Sequence, residues 1–205
     1  MRSAMLLLTT CVLLTGMTIA EESDDTYRNP TVGITVTKPA NWHFTTAEEN
    51  LENLQRTKLK DDEFLKYVQL HATAPLVAMT KYAEPYDDLN PSFKVIIRPL
   101  GQLPGDDPAK MTELVLPQLG KQFDDFSIEE GPLDTVISGL KAAYVKFHYS
   151  LQTEDSTVFP TCSELWIVPR GNFFFMIGAG TRQDEKTGKR EEIAGIMATL
   201  RLDLD

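Results

Sequence analysis

Residues 173–177 read Phe-Phe-Phe-Met-Ile, and this run decides the fold. It has no polar side, so the strand that it predicts must be covered on both faces of its sheet. Earlier strand-like runs at about 133–137, 143–151 and 161–168 supply neighbours for it. Residues 189–200 follow, and their apolar side chains recur at the spacing that predicts a closing helix.

The beginning of the ordered chain predicts a strand and then a helix. Residues 32–37 alternate in the period of a half-buried strand, which Pro39 ends. Thr46 and Glu49 have the spacing of a capping box, at the start of a helix that extends to about Lys60.

The middle of the chain mixes both kinds of element. Residues 61–71 predict a further helix with one apolar face, a strand being the alternative. The runs 76–82 and 93–98 predict an antiparallel hairpin. Asp107-Pro108 is a helix start, and Pro117 should kink or split the helix that follows.

This order of elements favours an α+β fold, with a mainly antiparallel sheet and helices packed on both faces. We expect one globular domain over residues 27–205, preceded by an acidic mobile tail at 21–26.

A set of spaced residues then points to a known family. They are Tyr27, Asn29, Gly33-Ile34-Thr35-Val36, Pro39, Trp42, and Gly139 ahead of Ala142-Ala143-Tyr144. With the apolar strand pair and closing helix, this pattern resembles the PsbP/Mog superfamily over most of residues 27–201.

The resemblance implies an α/β/α sandwich. Members of the superfamily include extrinsic photosystem II subunits, a Ran-binding nuclear transport factor and bacterial envelope proteins. They act mostly by binding partners, sometimes with metal ions. The matching positions here are structural, so the resemblance implies a fold and a style of action but transfers no functional residue.

Residues 1–20 have the form of a secretory signal. Arg2 is followed by an apolar run at 5–14 that is too short to cross a bilayer as a helix. Thr18 and Ala20 are small residues at the positions that signal peptidase reads. We therefore expect cleavage after Ala20, a secreted or periplasmic location, and no stable membrane anchor afterwards.

The composition excludes one class of partner. The 205 residues include 30 acidic and 20 basic side chains, a formal net charge of -10. Such a chain lacks the counterion release that drives nucleic-acid binding, and anionic membrane surfaces repel it. Nucleic acid is therefore not an expected partner.

Cysteine and histidine placement predicts neither a disulfide nor a metal site. Cys11 lies inside the signal and is preceded by Thr10, which disfavours lipidation, so only Cys162 would remain after cleavage. A lone strand cysteine beside Trp166 is typically a small buried side chain, a reactive thiol being the alternative. The three histidines lack paired ligand spacing. No metal and no cofactor are predicted.

The charged residues within the predicted strands are mostly basic. Lys94 and Arg98 are four apart, and Lys146 and His148 two apart, so each pair shares one face of its strand. If the two faces coincide, the four residues form a basic groove, our candidate binding site. The alternative is that such lysines merely protect strand edges from aggregation.

The function expected from the sequence is therefore a secreted or periplasmic, non-enzymatic PsbP-like domain. It would bind an envelope protein partner or a small anionic ligand through a sheet face. The alternative is a small envelope enzyme or metal-dependent binder that uses His148, Cys162 and Glu164. No catalytic residue is predicted.

We expect the exported protein to begin at Glu21. Intact-mass measurement on the envelope fraction should give the mass of residues 21–205. Ala20→Phe should block processing, because the minus-one pocket admits only small side chains, whereas Ala20→Gly should still be cleaved. Recovery of the wild-type chain at its uncleaved mass would contradict this expectation.

Overall fold

A computed structural model describes residues 25–55, 57–58, 74–153 and 155–203. Within these ranges the chain forms eleven strands and four helices. The strands are β1 (Thr26–Asn29), β2 (Ile34–Thr37), β3 (His43–Phe44), β4 (Thr57–Lys58), β5 (Val77–Thr80), β6 (Ser92–Pro99), β7 (Asp124–Ile137), β8 (Leu140–Thr153), β9 (Val158–Arg170), β10 (Phe173–Arg182) and β11 (Arg201–Leu202). The helices are α1 (Ala47–Gln55), α2 (Pro108–Gln122), α3 (Glu185–Gly188) and α4 (Arg190–Thr199).

The larger sheet has eight strands, and every pairing in it is antiparallel. Its order is β3, β5, β6, β10, β9, β8 and β4, with β7 also paired to β8. The expected hairpin is present as β5 and β6. The mainly antiparallel sheet predicted from the sequence is confirmed.

Strand β10 lies inside this sheet and is covered on both faces, as its apolar run predicts. Phe174 is buried on one face and Phe175 on the other. We call the first the α2 face, because Met111 and Leu116 of α2 pack there. The sheet residues of this core are Val145, Phe147, Leu165, Ile167 and Phe174.

Helix α2 begins as its sequence predicts. The side chain of Asp107 accepts a hydrogen bond from the backbone nitrogen of Lys110 at 2.9 Å, and Pro108 occupies the first turn. The helix continues through Pro117 without being split. At α1 the capping box is reciprocal: the Glu49 carboxylate accepts from the Thr46 backbone nitrogen at 2.7 Å, and the Thr46 hydroxyl accepts from the Glu49 backbone nitrogen at 3.1 Å.

The opposite face of the larger sheet, which we call the α4 face, is covered by α4 and by a second, three-stranded sheet. That sheet has the order β1, β2, β11. Ile193 and Ile196 of α4 pack with Ile34 and Val36 of β2 in one core. The larger sheet therefore has helices on both faces, which confirms the predicted α+β class.

The smaller sheet was not predicted beyond its β2 strand, because β11 is only two residues long and directly follows α4. Helix α1 ends at Gln55 rather than near Lys60. The helix expected at 61–71 lies outside the described residues. Among those that are described, no helix combines the length and apolar content needed to span a membrane.

A polar network joins α4 to Trp42 and to Lys81, which directly follows β5. Glu192 pairs with the buried Lys81 ammonium and accepts a hydrogen bond from Trp42 Nε1 at 2.6 Å. Burial opposes ionisation of Glu192, but the bonds from Lys81 and Trp42 outweigh it and hold the pKa of the carboxyl below its usual value.

Glu192→Gln should lower the free energy of unfolding by about 2 kcal/mol, because it leaves the Lys81 ammonium without its counter-charge. Denaturant unfolding measures this change. Glu191, on the same turn, is exposed. Glu191→Gln should therefore lower the free energy of unfolding by less than about 0.5 kcal/mol.

The pH dependence has a defined sign. A carboxyl whose pKa is depressed by folding stabilises the protein above its unfolded pKa of about 4.3, and that stabilisation is lost as pH falls through the folded pKa. The difference between wild type and Glu192→Gln should therefore shrink below about pH 4. Equal destabilisation by the two glutamine variants, or a pH-independent difference, would contradict the role given to Glu192.

Candidate functional site

The four basic residues predicted to form one groove lie on opposite faces of the larger sheet. Lys94 of β6 is paired with Gly178 of β10, which is paired with Leu165 of β9, which is paired with Val145 of β8. These four residues therefore share a face. Lys146 and His148 alternate with Val145 and point the other way. Each predicted pair shares a face, but the single groove is not formed.

Lys94 and Arg98 lie on the α2 face. Lys94 is exposed, and it lines a cavity of about 980 Å³. Residues 59–73, which connect β4 at one margin of the sheet to β5 near the other, lie outside the described residues. Among the described residues, Lys146 and His148 contact other titratable side chains on the α4 face, and the candidate site is placed there.

On that face, polar side chains from three neighbouring strands meet. We call them the polar cluster: Glu129 of β7, Lys146 and His148 of β8, and Cys162 and Glu164 of β9. His148 is directly opposite Cys162, and Lys146 is opposite Glu164, so the four form a compact block on the sheet. Glu129 reaches the block from the outer strand.

Glu129 connects the cluster through its two carboxylate oxygens. Oε1 accepts from Lys146 Nζ at 2.8 Å, and Oε2 lies 2.6 Å from His148 Nε2. The hydrogen bond from Lys146 is the main reason why the pKa of Glu129 is lowered, and the same bond raises the pKa of Lys146. One carboxylate oxygen of Glu129, one ring nitrogen of His148 and Cys162 Sγ all lie within 4.8 Å of one another.

A β-bulge places Glu129 in this position. Ile128 is opposite Phe147 and Glu130 is opposite Lys146, so Glu129 is an extra residue between two paired positions. A bulge turns a side chain away from its regular direction, and here both Glu129 and Glu130 can approach Lys146. A second irregularity follows at Gly131, where φ is +89° and a Cβ would meet the Tyr144 carbonyl oxygen at 2.4 Å.

The orientation of the His148 ring is held from both sides. Glu129 faces Nε2, and Gln183 Nε2 lies 3.2 Å from His148 Nδ1. The Glu129 carboxylate can only accept, so the proton on Nε2 is directed at it, and the Gln183 amide contacts the other ring nitrogen. The two contacts fix the direction of the imidazole ring.

Burial is the main influence on the pKa of the other two members, Cys162 and Glu164. Cys162 is only 1% exposed, and burial raises its pKa despite the opposing charges of Arg190 and Lys146. Burial likewise raises the pKa of Glu164, against a 3.0 Å hydrogen bond from the Tyr144 hydroxyl. The Cys162 thiol is thus protonated and shielded, unlike the low-pKa thiolate of a nucleophilic cysteine.

The structure brings together His148 and Cys162 of the alternative site that the sequence suggested. Their third close partner is Glu129. Glu164 lies two residues further along β9, opposite Lys146, and accepts a hydrogen bond from Tyr144. The sequence analysis did not find Glu129, because its direction depends on a bulge in β7 that strand periodicity does not predict. The only local signal is Gly131-Pro132, which marks irregular backbone but not its direction.

Comparison with solved structures identifies the fold. LpqN of Mycobacterium tuberculosis matches with a TM-score of 0.50 and 12% identity, covering 82% of each chain. Cyanobacterial PsbP (CyanoP) of Synechocystis sp. PCC 6803 matches at 0.48 and 10% identity, over 87% of this chain and 91% of its own. The Ran-binding protein MOG1P of Saccharomyces cerevisiae matches at 0.43 and 6%, over 84% and 91%.

The chain shares its fold with LpqN. Trp42, Gly139 and their neighbours carry the sequence resemblance to the superfamily that includes PsbP and the Mog proteins, and both kinds of structure are among the matches. Identities this low concern the fold alone. Neither a protein-family model nor a curated protein matches the sequence.

Alkylation of Cys162 tests its shielded state. In a Cys11→Ser chain, where Cys162 is the sole thiol, a thiol reagent should react at least about a hundredfold more slowly with native than with unfolded protein. The reason is that a buried thiol reacts only after an opening that costs roughly 3 kcal/mol. Equal rates for the two states would show an accessible thiol and favour the enzymatic alternative.

Proposed function

We propose that this chain is an exported, non-catalytic binding domain of the cell envelope, and that its binding site is the polar cluster. The observation that carries the proposal is the convergence of carboxylate, ammonium, imidazole and thiol groups on one sheet face, with three donor atoms within 4.8 Å of one another. Such groups are costly to gather unless a ligand or partner uses them.

The state of these groups favours binding over catalysis. The raised pKa of Cys162 disfavours a nucleophilic thiolate. Both ring nitrogens of His148 contact neighbouring side chains, Glu129 and Gln183. An orienting role for the imidazole fits this arrangement better than proton transfer.

Access to the cluster is from one side. Cys162 is at its buried base, His148 is partly exposed, and the Glu129 side chain is 42% exposed at its rim. A ligand can therefore approach past Glu129 and meet progressively more buried donors. We propose an envelope protein partner or a small ligand as the occupant. An anionic ligand would meet Lys146 here, but not Lys94 or Arg98.

The proposed location is secreted or periplasmic. It is supported by the signal-like residues 1–20 and the processing pattern at Ala20. LpqN, which shares the fold, is described as involved in cell envelope biogenesis. That role belongs to LpqN, and the shared fold makes an envelope setting a reasonable one to test.

Native mass spectrometry of the full-length gene product, recovered gently from its host's envelope fraction, tests the proposal. We expect a retained ligand or partner on the wild-type chain. Glu129→Gln combined with Lys146→Met should remove it, because the pair connects the rim of the cluster to its interior.

The matched control is Lys141→Met, an exposed lysine of the same strand β8 at a position that faces away from the cluster. It should retain the adduct. A bare wild-type chain, or an adduct that survives the double substitution, would overturn the proposed site.

A further inference from the structure

We infer that the polar cluster is a site for a divalent cation of the zinc class, held by Glu129, His148 and Cys162. The inference rests on the proposed binding role of this cluster and names its ligand. The spacing of these residues in the sequence gives no such indication, since they come from three different strands.

The geometry brings one donor from each strand to a common point. One carboxylate oxygen, one imidazole nitrogen and the Cys162 sulfur lie within 4.8 Å of one another. The direct pairing of His148 with Cys162 across β8 and β9 sets two of the donors on a rigid part of the sheet. The bulge in β7 supplies the third.

A tetrahedral zinc ion needs its nitrogen and oxygen ligands about 3.3 Å apart, as follows from bond lengths of about 2.0–2.2 Å. The Nε2 to Oε2 separation in the structure is 2.6 Å, with a proton between them. Replacing that proton by a metal requires the Nε2 to Oε2 separation to widen by about 0.7 Å and Cys162 Sγ to lie about 3.6 Å from both atoms. The exposed position of Glu129 allows this widening.

The donor set selects the metal. A thiolate with an imidazole and a carboxylate suits zinc, whereas calcium and magnesium prefer all-oxygen sites. Three protein donors also leave a fourth position, as in zinc sites that bind a further ligand. The site thus gives the proposed binding domain a means of contact with a partner's donor group.

Charge balance is compatible with such an ion. A divalent cation with the Cys162 thiolate and the Glu129 carboxylate is neutral in sum, so no net charge is buried. Lys146 would lose Glu129 as its partner. Glu130 is its directly opposed residue on β7 and offers the ammonium another carboxylate.

Gln183 completes the arrangement around His148. Its amide lies against Nδ1, and an amide can present either its NH₂ or its oxygen. The same side chain can therefore hold the ring in the present tautomer and in the one that carries its proton on Nδ1 when Nε2 binds a metal. Second-layer contacts of this kind orient metal-binding histidines.

Equilibrium dialysis with Zn²⁺ tests the assignment, using the full chain with Cys11→Ser so that Cys162 is the sole thiol. We expect one Zn²⁺ per chain. Glu129→Gln and His148→Gln should each weaken binding by at least about tenfold, because each removes a ligand. Lys146→Met should bind at least as tightly as the parent, since it releases Glu129 from a competing ammonium.

Substitution with Co²⁺ identifies the sulfur ligand. The Co²⁺-loaded chain should show thiolate-to-metal charge-transfer absorption that Cys162→Ala abolishes. Circular dichroism of every variant establishes that it is folded, and Glu129→Gln, which changes an exposed side chain, keeps the test informative if Cys162→Ala unfolds.

His43→Gln and Glu191→Gln are the controls, because both residues are exposed and lie outside the cluster. Both should bind Zn²⁺ like the parent. Absence of stoichiometric Zn²⁺, or equal binding by the ligand variants, would overturn the metal site. If no metal binds but the envelope-derived chain carries a cluster-dependent adduct, the zinc assignment alone fails. If cluster substitutions alter neither result, the proposed binding site fails with it.

Discussion

Burial of both faces of β10 is the constraint on which the other parts of the structure depend. A strand with Phe174 on one side and Phe175 on the other requires two separate covers. Helix α2 provides one, and α4 with the smaller sheet provides the other. The polar cluster lies at the end of the α4 face where Cys162 and Thr181, paired across β9 and β10, are buried. Glu129 on the outer strand leaves this end open to solvent.

The register of β8 and β9 then converts this open end into a defined chemical environment. Direct opposition of His148 and Cys162 fixes two side chains on well-packed strands, and irregular pairing on the outer strand adds Glu129. Regular strands thus supply rigidity, while the irregular one supplies a side chain that can adjust its position. A site that must both hold a geometry and admit a ligand needs each of these properties.

Much of this architecture could be predicted from the sequence. Local signals were sufficient at β10, whose apolar run requires double burial, and at α1, where Thr46 and Glu49 form the expected capping box. Local signals could not predict that Lys94 and Lys146 lie on opposite faces of the sheet. Which faces they share depends on the register of β10 and β9, which lie between β6 and β8. Similarly, the smaller sheet rests on a strand of two residues, too short to give any periodic pattern. Glu129 depends on a bulge, and its direction is set by the neighbouring strand rather than by its own sequence.

Strand β2 is paired on one side with β1 and on the other with β11, close to the far end of the described chain. The Thr199 hydroxyl reinforces this pairing by bonding to the nitrogen and the carbonyl oxygen of Thr37, a residue 162 positions earlier. The smaller sheet, and with it part of the cover over the α4 face of β10, is therefore complete only when residues 201–202 have paired with β2. Contacts of such long range form late in folding. The topology thus ties the first described strands to the last one, so that the end of the described chain closes the cover over β10.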